Sequence, residues 1–243
     1  MKKSLILGIL LCFSFPALPA TPSAAEIVAR ADMFRGLGSE PFTFSLTIIS
    51  HRPEKDPEEN ELKVMVKGPR SLVQFMAPNN VKGRAMLFEG RNLWLHIPRT
   101  RKIIRLSPAQ RLMGESSNGD VASTNFSGDY SPTLNGEETV EDLACYRLTL
   151  KAMDPKVTYH TIEYWVAKTS GKPVKSLHYA ASGKLLKTAF YKEFTQVDGQ
   201  EKLQRLLLVN PLFEGRYTWM IYDRYTREDL PDGLFRKENL NRL

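Results

Sequence analysis

Apolar and polar residues alternate with period two along most of this chain, the pattern of strands with one buried face. Over residues 41–50, Phe42, Phe44, Leu46 and Ile48 alternate with Thr43, Ser45 and Thr47. Leu62, Val64 and Val66 alternate with Lys63 and Lys67, after an acidic stretch at 54–61 that reads as a solvated turn. From Gly68 to Leu106 come four short apolar or β-branched runs, at 72–76, 84–89, 93–97 and 102–106, separated by Pro, Gly or Asn. Strand following strand at this spacing describes an antiparallel meander, because parallel strands would need crossover helices between them. After Asn135-Gly136, strand character resumes at 145–151, 158–166, 174–179, 185–197, 204–210 and 217–227, with hairpin turns at Ser182-Gly183 and Asp198-Gly199.

Three segments break the alternation. Residues 23–35 read as a helix: Ser23 can cap it, Glu26 stands at capping-box spacing, and Ile27, Ala31 and Phe34 make an apolar stripe with Val28 beside them. Residues 107–113 predict a short helix with Ser107 as cap and Pro108 in its first turn. The polar run GESSNGDVASTNFSGDYSPT follows it, and a loop of that length in a compact domain is usually functional, so it is a candidate lid or binding loop. The tail 231–243 carries Leu234, Phe235 and Leu240 and predicts one more short helix.

Together these predict a mainly β (α+β) fold: about eleven antiparallel strands in a strongly curved sheet, an open or incomplete barrel, with helices against one face. Several strands carry large apolar residues on both faces, as in Met86-Leu87-Phe88, Leu206–Val209 and Trp219–Tyr222. Either helices and loops cover the second face, or sheet and helices enclose an apolar cavity able to hold a ligand. The cavity reading nominates Phe42, Phe44, Leu46, Ile48, Leu87, Leu95, Trp165, Leu206, Leu208 and Trp219 as lining, with Ile27, Phe34, Leu112 and Met113 as lid.

The N-terminus changes the compartment. Lys2 and Lys3 precede an apolar run from Leu5 to Phe15, and Ala20 offers a cleavage residue, with cleavage as late as residue 25 compatible. This reads as a signal peptide over 1–20, leaving 21–243 as one soluble periplasmic domain; the run is too short to span a bilayer comfortably. Cys12 follows Leu10 and Leu11 rather than the small residue that lipidation needs, and Cys145 is expected to be a buried small hydrophobe. The formal charge is +7, or +5 without Lys2 and Lys3, too dispersed for a nucleic-acid partner.

Catalytic chemistry is not legible. His51, His96, His160 and His178 have no metal-ligand spacing and read as solvated side chains, and no Cys-x-x-Cys occurs. Gly-x-Ser-x-Gly and phosphate-cradling glycine motifs are absent. The reading is therefore no enzyme, no metal and no cofactor. One cationic cluster, Arg99, Arg101, Lys102 and Arg105, sits at an expected hairpin tip and is a candidate dock for an acidic partner or lipid headgroups.

The order of features resembles the LolA-like outer-membrane lipoprotein-sorting superfamily, in particular its larger periplasmic branch. The resemblance runs through VKGP at 66–69, LVQF at 72–75, LWLHIP at 93–98, RKIIR at 101–105, NGEETVEDLACYRLTL at 135–150 and YWV at 164–166. It implies an incomplete barrel of about eleven strands around a hydrophobic cavity. It also implies a carrier that passes the acyl chains of a lipid or lipoprotein from inner-membrane export machinery to an outer-membrane acceptor, as a monomer. The alternatives are a periplasmic interaction or envelope-sensor module with a solid core, and a hydrolase whose acid–base pair only the fold brings together. A cavity on the order of several hundred Å³ favours the carrier and a filled interior the module.

Overall fold

The computed structural model describes residues 21–36, 40–100, 102–122 and 125–242. The expected signal peptide at 1–20 lies outside the described residues. Helix α1 (Ala24–Asp32) is followed by β1 (Phe42–Arg52), β2 (Lys55–Lys67), β3 (Arg70–Ala77), β4 (Ala85–Glu89), β5 (Asn92–Ile97) and β6 (Lys102–Leu106). Then come β7 (Arg111–Met113), β8 (Ser116–Ser117) and the short helix α2 (Asn118–Ala122). Strands β9 (Tyr130–Val140), β10 (Leu143–Ala152), β11 (Thr161–Ala167), β12 (Pro173–Tyr179), β13 (Leu185–Val197), β14 (Gln200–Val209) and β15 (Tyr217–Arg227) complete the sheet.

Thirteen strands form a single antiparallel sheet in the order β6-β5-β4-β3-β2-β1-β15-β14-β13-β12-β11-β10-β9. The two halves of the chain each run as a meander, and pairing of β1 with β15 joins them. Strands twist by about 20–25° from neighbour to neighbour, so a sheet this wide curls on itself. Its edge strands β6 and β9 do not pair, and the barrel stays open.

Alternation assigns the two faces. Phe42, Phe44, Leu46 and Ile48 of β1, Leu62, Val64 and Val66 of β2, and Leu206 and Leu208 of β14 point inward, into one core with Ile27, Val28 and Ala31 of α1. A second, outer cluster forms where the tail crosses β2–β5: Leu230, Phe235 and Leu240 cover Met65, Leu72, Ala85 and Leu87. Two 3-10 turns (Asp232–Phe235 and Lys237–Arg242) stand there in place of the expected helix, and Arg70 secures the first by donating to Asp232 at 2.7 Å. A cover over one face thus accounts for apolar residues on both sides of β4.

Helix α1 starts where its sequence indicates. The Ser23 hydroxyl accepts from the Glu26 N–H, and the Glu26 carboxylate accepts from the Ser23 N–H at 2.8 Å. Other expectations are corrected. The acidic stretch is not a turn: β2 begins at Lys55 and pairs Glu58 with Ser50 and Glu59 with Ile49, while Glu54 turns with φ 64°. Its carboxylates stay in water, so charge does not oppose strand formation. Residues 107–113 form no helix; β7 hairpins onto β8 through Gly114. A Cβ at Gly114 would meet Thr218 Oγ1 at 2.2 Å and Ser50 Oγ at 2.6 Å, so close approach to the sheet dictates glycine. Strand β9 starts five residues before Asn135-Gly136, and Gly136 (φ 120°) sits at a bulge within it. Pro132 hid this strand in the sequence, but β9 is an edge, where a missing N–H is tolerated. The sheet has thirteen strands rather than about eleven.

Candidate functional site

The concave face of the half-barrel is occupied by chain from outside the sheet. Between β7 and β9, residues 115–122 and Phe126 turn inward, and Glu115, Ser116, Ser117, Asn118, Val121, Ala122 and Phe126 are buried. Val121, Phe126 and Tyr130 join the inner core, and Ser71 of β3 donates to the Ala122 carbonyl at 2.6 Å. The segment nominated as a candidate lid or binding loop is thus packed inward as a plug. Two spaces left against Asp120 hold about 10 Å³ each, about one water molecule's volume.

Polar groups fasten the plug to the wall. The Lys187 ammonium, 3% exposed on β13, donates to Asp120 Oδ2, to the Glu115 carbonyl at 2.9 Å and to Ser117 Oγ at 3.4 Å. Asp120 also accepts from the Tyr159 hydroxyl at 2.6 Å and from the Ser117 N–H at 2.7 Å. Glu115 accepts at its carboxylate from Asn210 at 2.7 Å, and its N–H donates to Thr218 Oγ1 at 2.8 Å. Beside this pair, His178 Nε2 lies 2.8 Å from Ser176 Oγ, which is 3.3 Å from the Tyr191 hydroxyl. The His178 ring meets Tyr159 edge-on at 4.4 Å.

Burial and charge set the protonation states. Burial pushes the Asp120 carboxyl up, but the Lys187 ammonium and the Ser117 N–H more than offset this and hold it below the usual carboxylate range. Burial lowers Lys187, and Asp120 opposes that; its three acceptors identify it as the ammonium. Burial and the nearby Lys187 charge press His178 down to about 3, so it is neutral. At the end of α1, Asp32 takes N–H groups of Phe126 at 2.9 Å and Ser127 at 2.7 Å, tying the helix to the plug. Burial raises its pKa despite Arg35 and those donors. The Arg35 guanidinium stacks 4.2 Å over Phe126.

The structure divides the residues nominated as cavity lining. Phe42, Phe44, Leu46, Ile48, Leu206 and Leu208 face the interior, and Leu95 packs against the same core. Leu87, Trp165 and Trp219 do not. Met86, Tyr164 and Met220 take the inward positions, and each neighbour is turned outward by the two-residue period. Leu87 lies under the tail; Trp165 packs with Cys145 and Val174 on the outer face, 5.1 Å from the Lys175 ammonium; Trp219 lies under Arg205 at 4.6 Å.

Of the lid candidates, Ile27 is buried in the core and Leu112 and Met113 pack against it, while Phe34 meets Phe194 edge-on at 5.6 Å. Arg99 and Lys102 are exposed near the β5–β6 turn, and Arg105 donates to Asn92 at 2.6 Å; Arg101 lies outside the described residues. His178 and His96 are buried, 3% and 5% exposed, and not solvated as their scatter implies.

Sequence reasoning missed Lys187, Asp120 and Tyr159. One signal was present: Lys187 occupies an inward position in the series Leu185, Lys187, Ala189, Tyr191, and a lysine on a core face calls for a counter-ion. Among the described residues no cluster of His, Cys, Asp and Glu is arranged to hold a metal ion, and no helix is long and apolar enough to cross a membrane.

Comparison with known proteins agrees with this architecture. A family model whose description reads only "-like: Uncharacterized protein" matches residues 67–242. No curated protein matches the chain. A LolA superfamily protein from Nitrosomonas europaea is 34% identical, with a TM-score of 0.84 over 90% of this chain and 99% of that one. An outer membrane lipoprotein-sorting protein domain from Vibrio parahaemolyticus is 20% identical (TM-score 0.76, covering 90% and 98%). A DUF1329 family protein from Desulfovibrio piger is 21% identical (TM-score 0.75, covering 90% and 100%). The last two share the fold; the first, by identity and coverage, places the sequence. The chain belongs to the LolA superfamily.

Proposed function

We propose that this protein is a periplasmic carrier, without catalytic activity, that holds the acyl chains of a lipid or lipoprotein in its half-barrel. It passes them from inner-membrane export machinery to the outer membrane. One observation carries the reading: the apolar inner wall is filled by a separate segment, residues 115–122 with Phe126, fastened largely through side-chain polar links. A core meant to stay closed is filled by interdigitating wall side chains. A plug held by a few polar contacts can leave as a unit and expose Leu46, Ile48, Leu206 and Leu208 together.

Energetics favour such an exchange. Each CH₂ taken out of water contributes about 0.8 kcal/mol, so one long acyl chain offsets the loss of plug packing. The same loss keeps net affinity moderate, which a carrier needs in order to release. Native mass spectrometry of protein purified gently from periplasm tests the reading: bound lipid is expected, and binding of a fluorescent fatty acid no tighter than to an unrelated β protein refutes it.

The filled interior favours a second reading, a periplasmic interaction or sensor module. It calls for a plug that never opens and for partner binding that is lost when Arg99, Arg101 and Lys102 are neutralised.

A further inference from the structure

The buried Lys187 constrains what enters the barrel. All three acceptors that its ammonium reaches belong to the plug: Asp120 Oδ2, the Glu115 carbonyl and Ser117 Oγ. Its neighbours on the inner face of β13, Ala189 and Tyr191, add no anion. When the plug leaves, its carboxylates leave with it, and Lys187 stays on an apolar wall. A buried charge stripped of its partner is strongly unfavourable, so a neutral apolar cargo would have to bear that penalty.

We propose that the interior takes an amphiphile with an anionic oxygen head, a long-chain carboxylate or a phosphate-headed lipid, whose head replaces the Asp120 carboxylate on Lys187. The inference rests on the carrier reading. Two of the three donors now serving Asp120, Lys187 Nζ and the Tyr159 hydroxyl, lie outside the plug and remain for an incoming head. The third, the Ser117 N–H, departs with the plug. Arg35 borders the same small spaces as Asp120 and adds positive potential, against Asp32 behind it. In the closed state Asp120 therefore acts as a built-in surrogate for the head of the cargo, and a carboxylate replacing a carboxylate keeps the geometry.

The test measures binding of palmitate, phosphatidic acid and neutral hexadecanol to the full mature chain, by calorimetry or by displacement of a fluorescent fatty acid. Palmitate or phosphatidic acid is expected to bind at least about tenfold more tightly than hexadecanol, as a charge-assisted contact requires; which of the two wins identifies the head. Lys187→Met is expected to abolish that preference, chiefly by tightening hexadecanol about tenfold once no ammonium is left unpaired on the wall, and Asp120→Asn to tighten anion binding about tenfold by removing the competing carboxylate. Equal binding of palmitate and hexadecanol, or a preference that survives Lys187→Met, overturns the inference and leaves the carrier reading standing. Binding of none of the three overturns both. If Lys187→Met fails to fold, Asp120→Asn decides, and no tightening of anion binding overturns the inference.

Discussion

Replacing Asp120 by Ala isolates the energetic role of the Lys187–Asp120 pair. The substitution leaves an ammonium 3% exposed on the barrel wall with only the Glu115 carbonyl and Ser117 Oγ as acceptors. Breaking one side of a buried pair costs about 3–5 kcal/mol. An upper bound follows independently, because Lys187 can escape by losing its proton. Deprotonating a lysine whose ordinary pKa is 10.5 at pH 7 costs about 1.36 kcal/mol for each of 3.5 pH units, or about 5 kcal/mol. The two figures agree, so Asp120→Ala is expected to lower unfolding free energy by about 3–5 kcal/mol at pH 7. Its stability should then rise with pH towards 10, since the unfolded chain still holds the lysine proton where the folded variant has given it up.

The double variant Lys187→Met/Asp120→Leu, which replaces the pair by apolar groups of similar size, should recover most of the loss. Urea unfolding of the wild-type protein, Asp120→Ala, Lys187→Met and the double variant at pH 7 and pH 9 provides the assay, with hydrogen exchange at Val121 and Ala122 reporting the plug directly. Single variants that each cost under about 1 kcal/mol and simply add would refute the argument, because they would show Lys187 to be hydrated rather than neutralised by Asp120.

Further outcomes follow from other parts of the fold. His178 is neutral in the folded state with a pKa near 3 against an ordinary histidine value of 6.5, so the unfolded chain gains a proton first on acidification. Stability should fall by roughly 1.4 kcal/mol per pH unit below about 6.5, and comparison of urea midpoints at pH 7 and 5 should show that slope reduced in His178→Gln. Ser23→Ala removes the cap of α1 and should cost about 1 kcal/mol in thermal or urea unfolding. Gly114→Ala sets a Cβ against Thr218 and Ser50 at positive φ and should destabilise by about 2 kcal/mol or more, read from the urea midpoint. Phe235→Ala opens the outer cluster under the tail and should cost about 3–5 kcal/mol, with tail proteolysis as a second readout.

Strand order, the capped helix and the family were legible in the residues because each depends on short-range signals. Period-two alternation, a Ser-x-x-Glu cap and Asp-Gly turns act within a few positions of the chain. The inward set Phe42, Phe44, Leu46 and Ile48 could be named because one face of β1 alternates cleanly. Leu87, Trp165 and Trp219 face outward, and the residues do not reveal this because their strands are apolar on both sides, where alternation carries no phase. The acidic start of β2 and Pro132 of β9 argued against strands by composition, yet exposure in one case and an edge position in the other make both tolerable.

The sequence by itself determined a wide antiparallel sheet with a helix before it, since backbone pairing needs only alternation and turns. Only the tertiary structure decided what fills that sheet's hollow. The run from 114 to 133 reads as a lid or binding loop because it is long and rich in Gly, Ser, Asn and Asp, and such a run has no apolar pattern to show what it packs against. Residues 115–122 pack inside because Lys187, Tyr159, Thr218 and Asn210, from 39 to 103 positions along the chain from their partners, meet their polar groups one by one. Satisfaction of a buried polar group is a property of its partners in space, and no local pattern records it.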